Sequence, residues 1–147
     1  MRLRHISPLI TISLLWLFIS GSCKDNTQPT DLLPEVNVNY IVNMNLPLYQ
    51  DLLIPGGYAE TPVDVGVQGI LIYNMNNRYK AFDLACPHYT PGSCGQMTFD
   101  GSLFLECPCD QTHFSIYDGA SQNENVPQRA REYFVEVMGG NQLRITN

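Results

Sequence analysis

The stretch ECPCDQTHF, residues 106–114, sets two cysteines one residue apart, then an aspartate, then a histidine. Upstream stands its counterpart, ACPHYTPGSCG, residues 85–95, carrying Cys86, His88 and Cys94. Between them the two stretches hold four of the five cysteines and two of the three histidines in the chain. Thiolate and imidazole are the donors that zinc and iron–sulfur centres take. Each stretch offers a tight pair of such donors, so two loops of this kind facing one another can enclose a metal. The question the sequence must answer is what frame would hold them face to face.

The flanking segments read as β throughout. VNVNYIV (36–42) alternates strictly, and GILIY (69–73) followed by NMNN and RYKAFD (78–83) has the form of a hairpin with an Asn-rich turn. QMTFD and SLFLEC flank Asp100-Gly101, the strongest short hairpin signal in the chain. HFSIYDGAS adds a strand and a turn, and EYFVEVMGGNQLRITN closes the chain as a hairpin around Gly139 and Gly140. Residues 43–66 are marked by Pro and Gly and predict irregular backbone with one short helical turn near LYQDLL. No helical stripe of useful length and no internal repeat is present. The pattern predicts one small all-β, antiparallel domain over residues 36–147, with both cysteine stretches in loops between strands.

The N-terminal region poses a separate physical problem. MRLRH supplies two arginines, PLITISLLWLFIS an apolar run of signal-peptide length, and GSC small residues ahead of Cys23. The run is too short for a comfortable membrane span. This architecture resembles a bacterial lipobox, in which the cysteine is acylated and becomes the mature N-terminus. Ser20 stands where the lipobox leucine is usual, with Ile19 one place further back. The expected organisation is a lipoprotein signal peptide over 1–22, a polar tether over 23–35 and the β domain beyond. The expected location is the bacterial cell envelope, with lipid on Cys23. Of the eight basic residues Arg2 and Arg4 belong to the signal, leaving six against fourteen acidic ones, a net of −8. Nucleic acid and anionic lipid surfaces are poor partners for such a domain, so membrane attachment falls to the anchor.

With loops and strands in place, the sequence resembles the Rieske iron–sulfur domain. In that family a Cys-x-His loop and a Cys-Pro-Cys-His-Gly-Ser loop bind a [2Fe–2S] cluster, two cysteines on one iron and two histidines on the other. The resemblance spans roughly residues 36–147 and implies a small antiparallel β-sandwich or barrel with two metal-binding hairpin loops. It places Cys86 and His88 on the first ligand pair and Cys107 on the third ligand. Cys94 and Cys109 match the disulfide that clamps the two loops. The departure lies at the second histidine, where this chain has Asp110, followed by Gln111 and Thr112 in place of Gly-Ser. Three outcomes follow. Asp110 takes the vacant iron position, or His113 reaches it through a bulged backbone, or no metal binds and the cysteines form two disulfides, Cys94–Cys109 and Cys86–Cys107.

A four-coordinate zinc site is chemically open to the same residues, although the clamp pattern favours the iron–sulfur comparison. Nucleophilic catalysis by a cysteine would need an exposed thiol of low pKa, and cysteines in an oxidising compartment are more often bridged. Asp64, Asp83 and Glu60 read as ordinary surface charges. What the resemblance implies is an electron carrier that docks a redox partner protein, rather than an enzyme by itself. The alternative is a cofactor-free, disulfide-stabilised lipoprotein acting as a binding or structural accessory.

Overall fold

The computed structural model describes residues 32–147, so the expected signal peptide, Cys23 and most of the expected tether lie outside the described residues. The described residues form nine strands: β1 (Asn39–Asn43), β2 (Tyr58–Glu60), β3 (Ile70–Met75), β4 (Arg78–Asp83), β5 (Thr98–Phe99), β6 (Phe104–Glu106), β7 (His113–Ser115), β8 (Glu132–Met138) and β9 (Gln142–Thr146). Six of them form one antiparallel sheet in the order β1-β9-β8-β4-β3-β2, and β5-β6-β7 form a second. The all-β, antiparallel expectation holds.

Local chemistry explains the connections. Asn76 and Asn77 both take positive φ, 53° and 64°, the left-handed pair that a tight hairpin between β3 and β4 needs and that Asn tolerates. The buried Asn74 closes that corner. Its Oδ1 accepts from Asn77 N at 2.6 Å, while its Nδ2 donates to Leu52 O at 2.8 Å. Leu52 belongs to a 3-10 helix, Pro47–Leu53, which starts on proline and buries Tyr49 and Leu52. The helical turn was legible in LYQDLL, but β2 was not. Tyr58–Glu60 lies inside the segment expected to be irregular, and it forms a strand because Ala59 is buried opposite Ile72.

Packing divides into two apolar clusters. One gathers Val38, Val42, Tyr49, Leu52, Ile70, Ile72, Leu143 and Ile145 in the larger sheet. The other joins Leu71, Phe82, Leu84, Met97, Leu105, Phe114 and Ile116 to Cys86, Cys94 and Cys107. β3 lies between them: Ile70 and Ile72 face the first cluster and Leu71 the second, which is why three consecutive residues are fully buried. The cysteine loops thus grow directly out of the second core.

Candidate metal centre

The first loop begins where β4 ends, on Asp83. This side chain has no solvent exposure, which corrects its assignment as a surface charge. Four donors converge on the carboxylate: Val67 N at 2.7 Å, Gln68 N at 3.2 Å, Ala85 N at 2.8 Å and Tyr133 Oη at 2.8 Å. A buried carboxylate is tolerated only with such partners. Burial first, then the adjacent Asp83, push the Tyr133 phenol well above its ordinary pKa, so it stays a donor. The contact also requires a glycine nearby: a Cβ on Gly66, whose φ is +77°, would lie 2.6 Å from Asp83 Oδ2. Through Ala85 the carboxylate sets the backbone immediately before Cys86. Through Gln68, whose side-chain amide donates to Cys94 O at 3.3 Å, it reaches the far end of the same loop.

The second loop closes on itself. Cys107 N donates to Thr112 O at 2.9 Å, and Gln111 N donates to Cys107 O at 2.8 Å. Gln111 takes a positive φ of 60° to make the reversal. Asp110 anchors its own turn, accepting from Thr112 N at 3.1 Å and from Thr112 Oγ1 at 2.8 Å.

The two loops meet through sulfur and through a histidine–carboxylate hydrogen bond. Cys94 is bonded to Cys109 and Cys86 to Cys107. His88 Nε2 and Asp110 Oδ2 are 2.8 Å apart. Burial acts to raise the pKa of Asp110, but hydrogen bonds from His88 and Thr112 outweigh it and hold the carboxyl below its ordinary value. The ionised carboxylate is therefore the acceptor and His88 Nε2–H the donor. The other ring nitrogen, Nδ1, is buried and has no hydrogen-bond partner. A histidine whose one nitrogen is tied to a carboxylate and whose other is free and buried has the arrangement of a metal ligand.

Donor atoms of His88, Cys107 and Asp110 lie within 4.8 Å of one another, as do those of Cys86, Cys94 and Cys107. His113 is not among them. On β7 it alternates with the fully buried Phe114, so its ring faces outward and meets Glu106 Oε2 at 3.3 Å. Cys23 lies outside the described residues.

Whether these residues suit an iron–sulfur cluster turns on the donor set. Bonded to each other, the sulfurs of Cys86 and Cys107 ligate nothing; as thiolates they supply the soft pair. His88 adds a nitrogen and Asp110 an oxygen, both competent for iron. The buried, unpartnered Nδ1 is the group that such a cluster would satisfy. The set fits.

Comparisons with known proteins agree with this architecture. The family model for the Rieske [2Fe-2S] domain matches residues 48–139. The ferredoxin of carbazole 1,9a-dioxygenase from Nocardioides aromaticivorans IC177 is similar in fold, with a TM-score of 0.50 at 21% identity over 76% of this chain and 98% of its own. A complex of reduced oxygenase and oxidized ferredoxin in carbazole 1,9a-dioxygenase contains a chain similar at a TM-score of 0.49 and 17% identity, over 77% of this chain and 94% of that one. No curated protein matches the sequence.

Proposed function

The chain belongs to the Rieske [2Fe–2S] domain family, and on that premise we propose that it is a lipid-anchored electron carrier of the bacterial cell envelope. Cys86, Cys107, His88 and Asp110 are the residues that would hold a [2Fe–2S] cluster, which supplies one-electron oxidation and reduction when bound. The observation that carries the reading is the grouping of donor atoms of His88, Cys107 and Asp110 within 4.8 Å of one another, on a histidine whose Nδ1 is buried and has no hydrogen-bond partner. Asp110 orients the His88 ring through Nε2, and Thr112 fixes Asp110. Cys94–Cys109 joins the two loops that carry these donors.

The exposed Pro108, Cys109, Asp110 and Gln111 form the tip through which a redox partner protein would approach. Lipid on Cys23 would hold the domain at a membrane while the polar segment after it supplies reach. A second reading is favoured by one observation, the Cys86–Cys107 bond. If that bridge persists in the cell, the domain is a cofactor-free accessory lipoprotein that keeps the fold alone. Metal analysis of protein purified without oxygen separates the two. The carrier reading expects about two irons and two acid-labile sulfides per chain; neither element, with Cys86–Cys107 recovered in peptide maps, establishes the accessory.

A further inference from the structure

The end of the molecule opposite the metal loops is apolar where it meets solvent. β4 runs from Arg78 at that end to Asp83, where the first loop begins. The 3-10 segment covers the same end: Met44 N donates to Asn141 O in the β8–β9 turn at 2.9 Å, and Gly56 N donates to Asn74 O beside the β3–β4 turn at 2.8 Å. Leu46, Leu48, Leu53 and Ile54 are 50%, 62%, 44% and 63% exposed, and Val137, beside the β8–β9 turn, is 62% exposed. Tyr49 and Leu52 already seat the segment on the core, so packing does not ask for the other four. Grouped exposed apolar side chains mark contact surfaces. Arg78 stands at the rim of this group, across the Asn76-Asn77 turn from Met75. Among the described residues the other basic side chains have partners: Lys80 on Glu132, Arg129 on Asp118, Arg131 on the carbonyls of Leu33 and Pro34, and Arg144 on Asn39. The exposed Arg78 has none.

We propose that Leu46, Leu48, Leu53, Ile54, Val137 and Arg78 form a lipid-contact surface that seats the domain on a bilayer with the metal loops turned away from it. The surface adds an orientation to the lipid anchor on Cys23 and rests on that reading. Its chemistry fits lipid better than protein. The apolar set is aliphatic, whereas protein hot spots favour Trp, Tyr and Arg and under-represent Leu and Val; a bilayer asks only for apolar area. The unpaired guanidinium of Arg78 matches the phosphate of a headgroup. Chain length points the same way. Arg131 holds Leu33 and Pro34 just ahead of β8, at the metal-loop end of the sheet. With lipid alone, an attachment at that end leaves the loops free to face the bilayer. Ten residues separate Cys23 from Leu33, a reach of at most about 33–36 Å, against about 20 Å for the length of β4. The segment is thus long enough to run past the sheet to a bilayer under the opposite end. Gln50 and Asp51, exposed between Leu48 and Leu53, keep the contact shallow, at the depth of the headgroups. Seated this way, the domain presents its loops to a partner on the side away from the membrane.

The test is fluorescence quenching in the full chain. Trp16 is the one tryptophan in the sequence, so Trp16→Phe with Leu48→Trp puts a single fluorophore in the surface. Trp16→Phe with Phe134→Trp puts one at an exposed position of β8 nearer the metal loops. Both proteins, purified from membranes, are reconstituted into phosphatidylcholine vesicles whose acyl chains carry bromine close to the headgroup. Bromine should quench the Leu48→Trp probe about threefold more than the Phe134→Trp probe, and adding Leu53→Ser with Ile54→Ser should abolish that difference. Equal quenching of the two probes, no quenching of Leu48→Trp in vesicle-bound protein, or a difference that survives the serines overturns the proposal. Leu48→Trp emission that shifts to the blue with protein concentration and ignores the vesicles assigns the surface to a second copy, which also overturns it. Mass spectrometry of Cys23 reads the anchor separately. If lipid is missing there, the anchor reading fails, and the same proteins are titrated with excess vesicles: quenching of Leu48→Trp alone still supports the surface, and its absence overturns it. No readout involves iron.

Discussion

At position 110 a carboxylate occupies the place of an imidazole in the Rieske pattern, and the consequences are electrostatic. An anionic oxygen stabilises ferric iron more than a neutral nitrogen does, and net charge is a main lever on cluster potential. Asp110→His should therefore raise the reduction potential above that of the wild type, as read by film voltammetry; an equal or lower potential would show that Asp110 is not on the iron. Asp110→Ala should lose iron while His113→Ala retains it, because His113 is turned outward to Glu106. The sequence left His113 open as a ligand; its outward turn follows from alternation with the buried Phe114 on β7. The His88–Asp110 contact was not legible, since it joins loops 22 residues apart in the chain. Asp83 was misread for a related reason. A carboxylate at a strand end looks solvated until the turn at residues 66–68 folds back over it. Asp83→Asn replaces one acceptor oxygen by a donor amide and leaves buried N–H groups unmet, so urea unfolding should show a loss of roughly 2–4 kcal/mol.

The hairpins were legible because their signals are local: Asn76-Asn77 and Asp100-Gly101 dictate turns, and period-two alternation dictates which face of β1 is inward. Strand order was not, because nothing in a single strand says that β4 pairs with β8 rather than with a nearer neighbour. β2 escaped notice because three residues are too few to display a period. The loops extend from the end of β4 and from β6 into the second core, so the clamp between them acts on the placement of both elements. Cys94–Cys109 closes a loop of 15 residues. Replacing both cysteines by serine should lower stability by about 3 kcal/mol, measured by urea unfolding as a lower midpoint with the slope determined for each protein. A midpoint equal to that of the wild type would mean that sheet packing alone holds the loops.

For the whole molecule, acid sensitivity follows from three carboxylates held below their ordinary value of 3.8: Asp100 by hydrogen bonds from Ser102, Asp110 by His88 and Thr112 against an opposing effect of burial, and Asp118 chiefly by the Ala120 amide. A depressed folded pKa stabilises the protein above the unfolded value and loses that stability as pH falls through the folded one. The urea midpoint should thus hold from pH 7 to about pH 5 and fall below about pH 4; a midpoint that rises on acidification would contradict the assignment. Anchoring is tested by Cys23→Ala, which should move the protein from the membrane to the soluble fraction, and retention at the membrane would remove the lipid from the account. The central claim is that one histidine and one aspartate, rather than two histidines, face the iron. Pulsed electron paramagnetic resonance of dithionite-reduced protein labelled with 15N-histidine addresses it directly. The account predicts a single coupled histidine nitrogen that vanishes in His88→Ala, whereas two coupled nitrogens, or no paramagnetic signal at all, would contradict it.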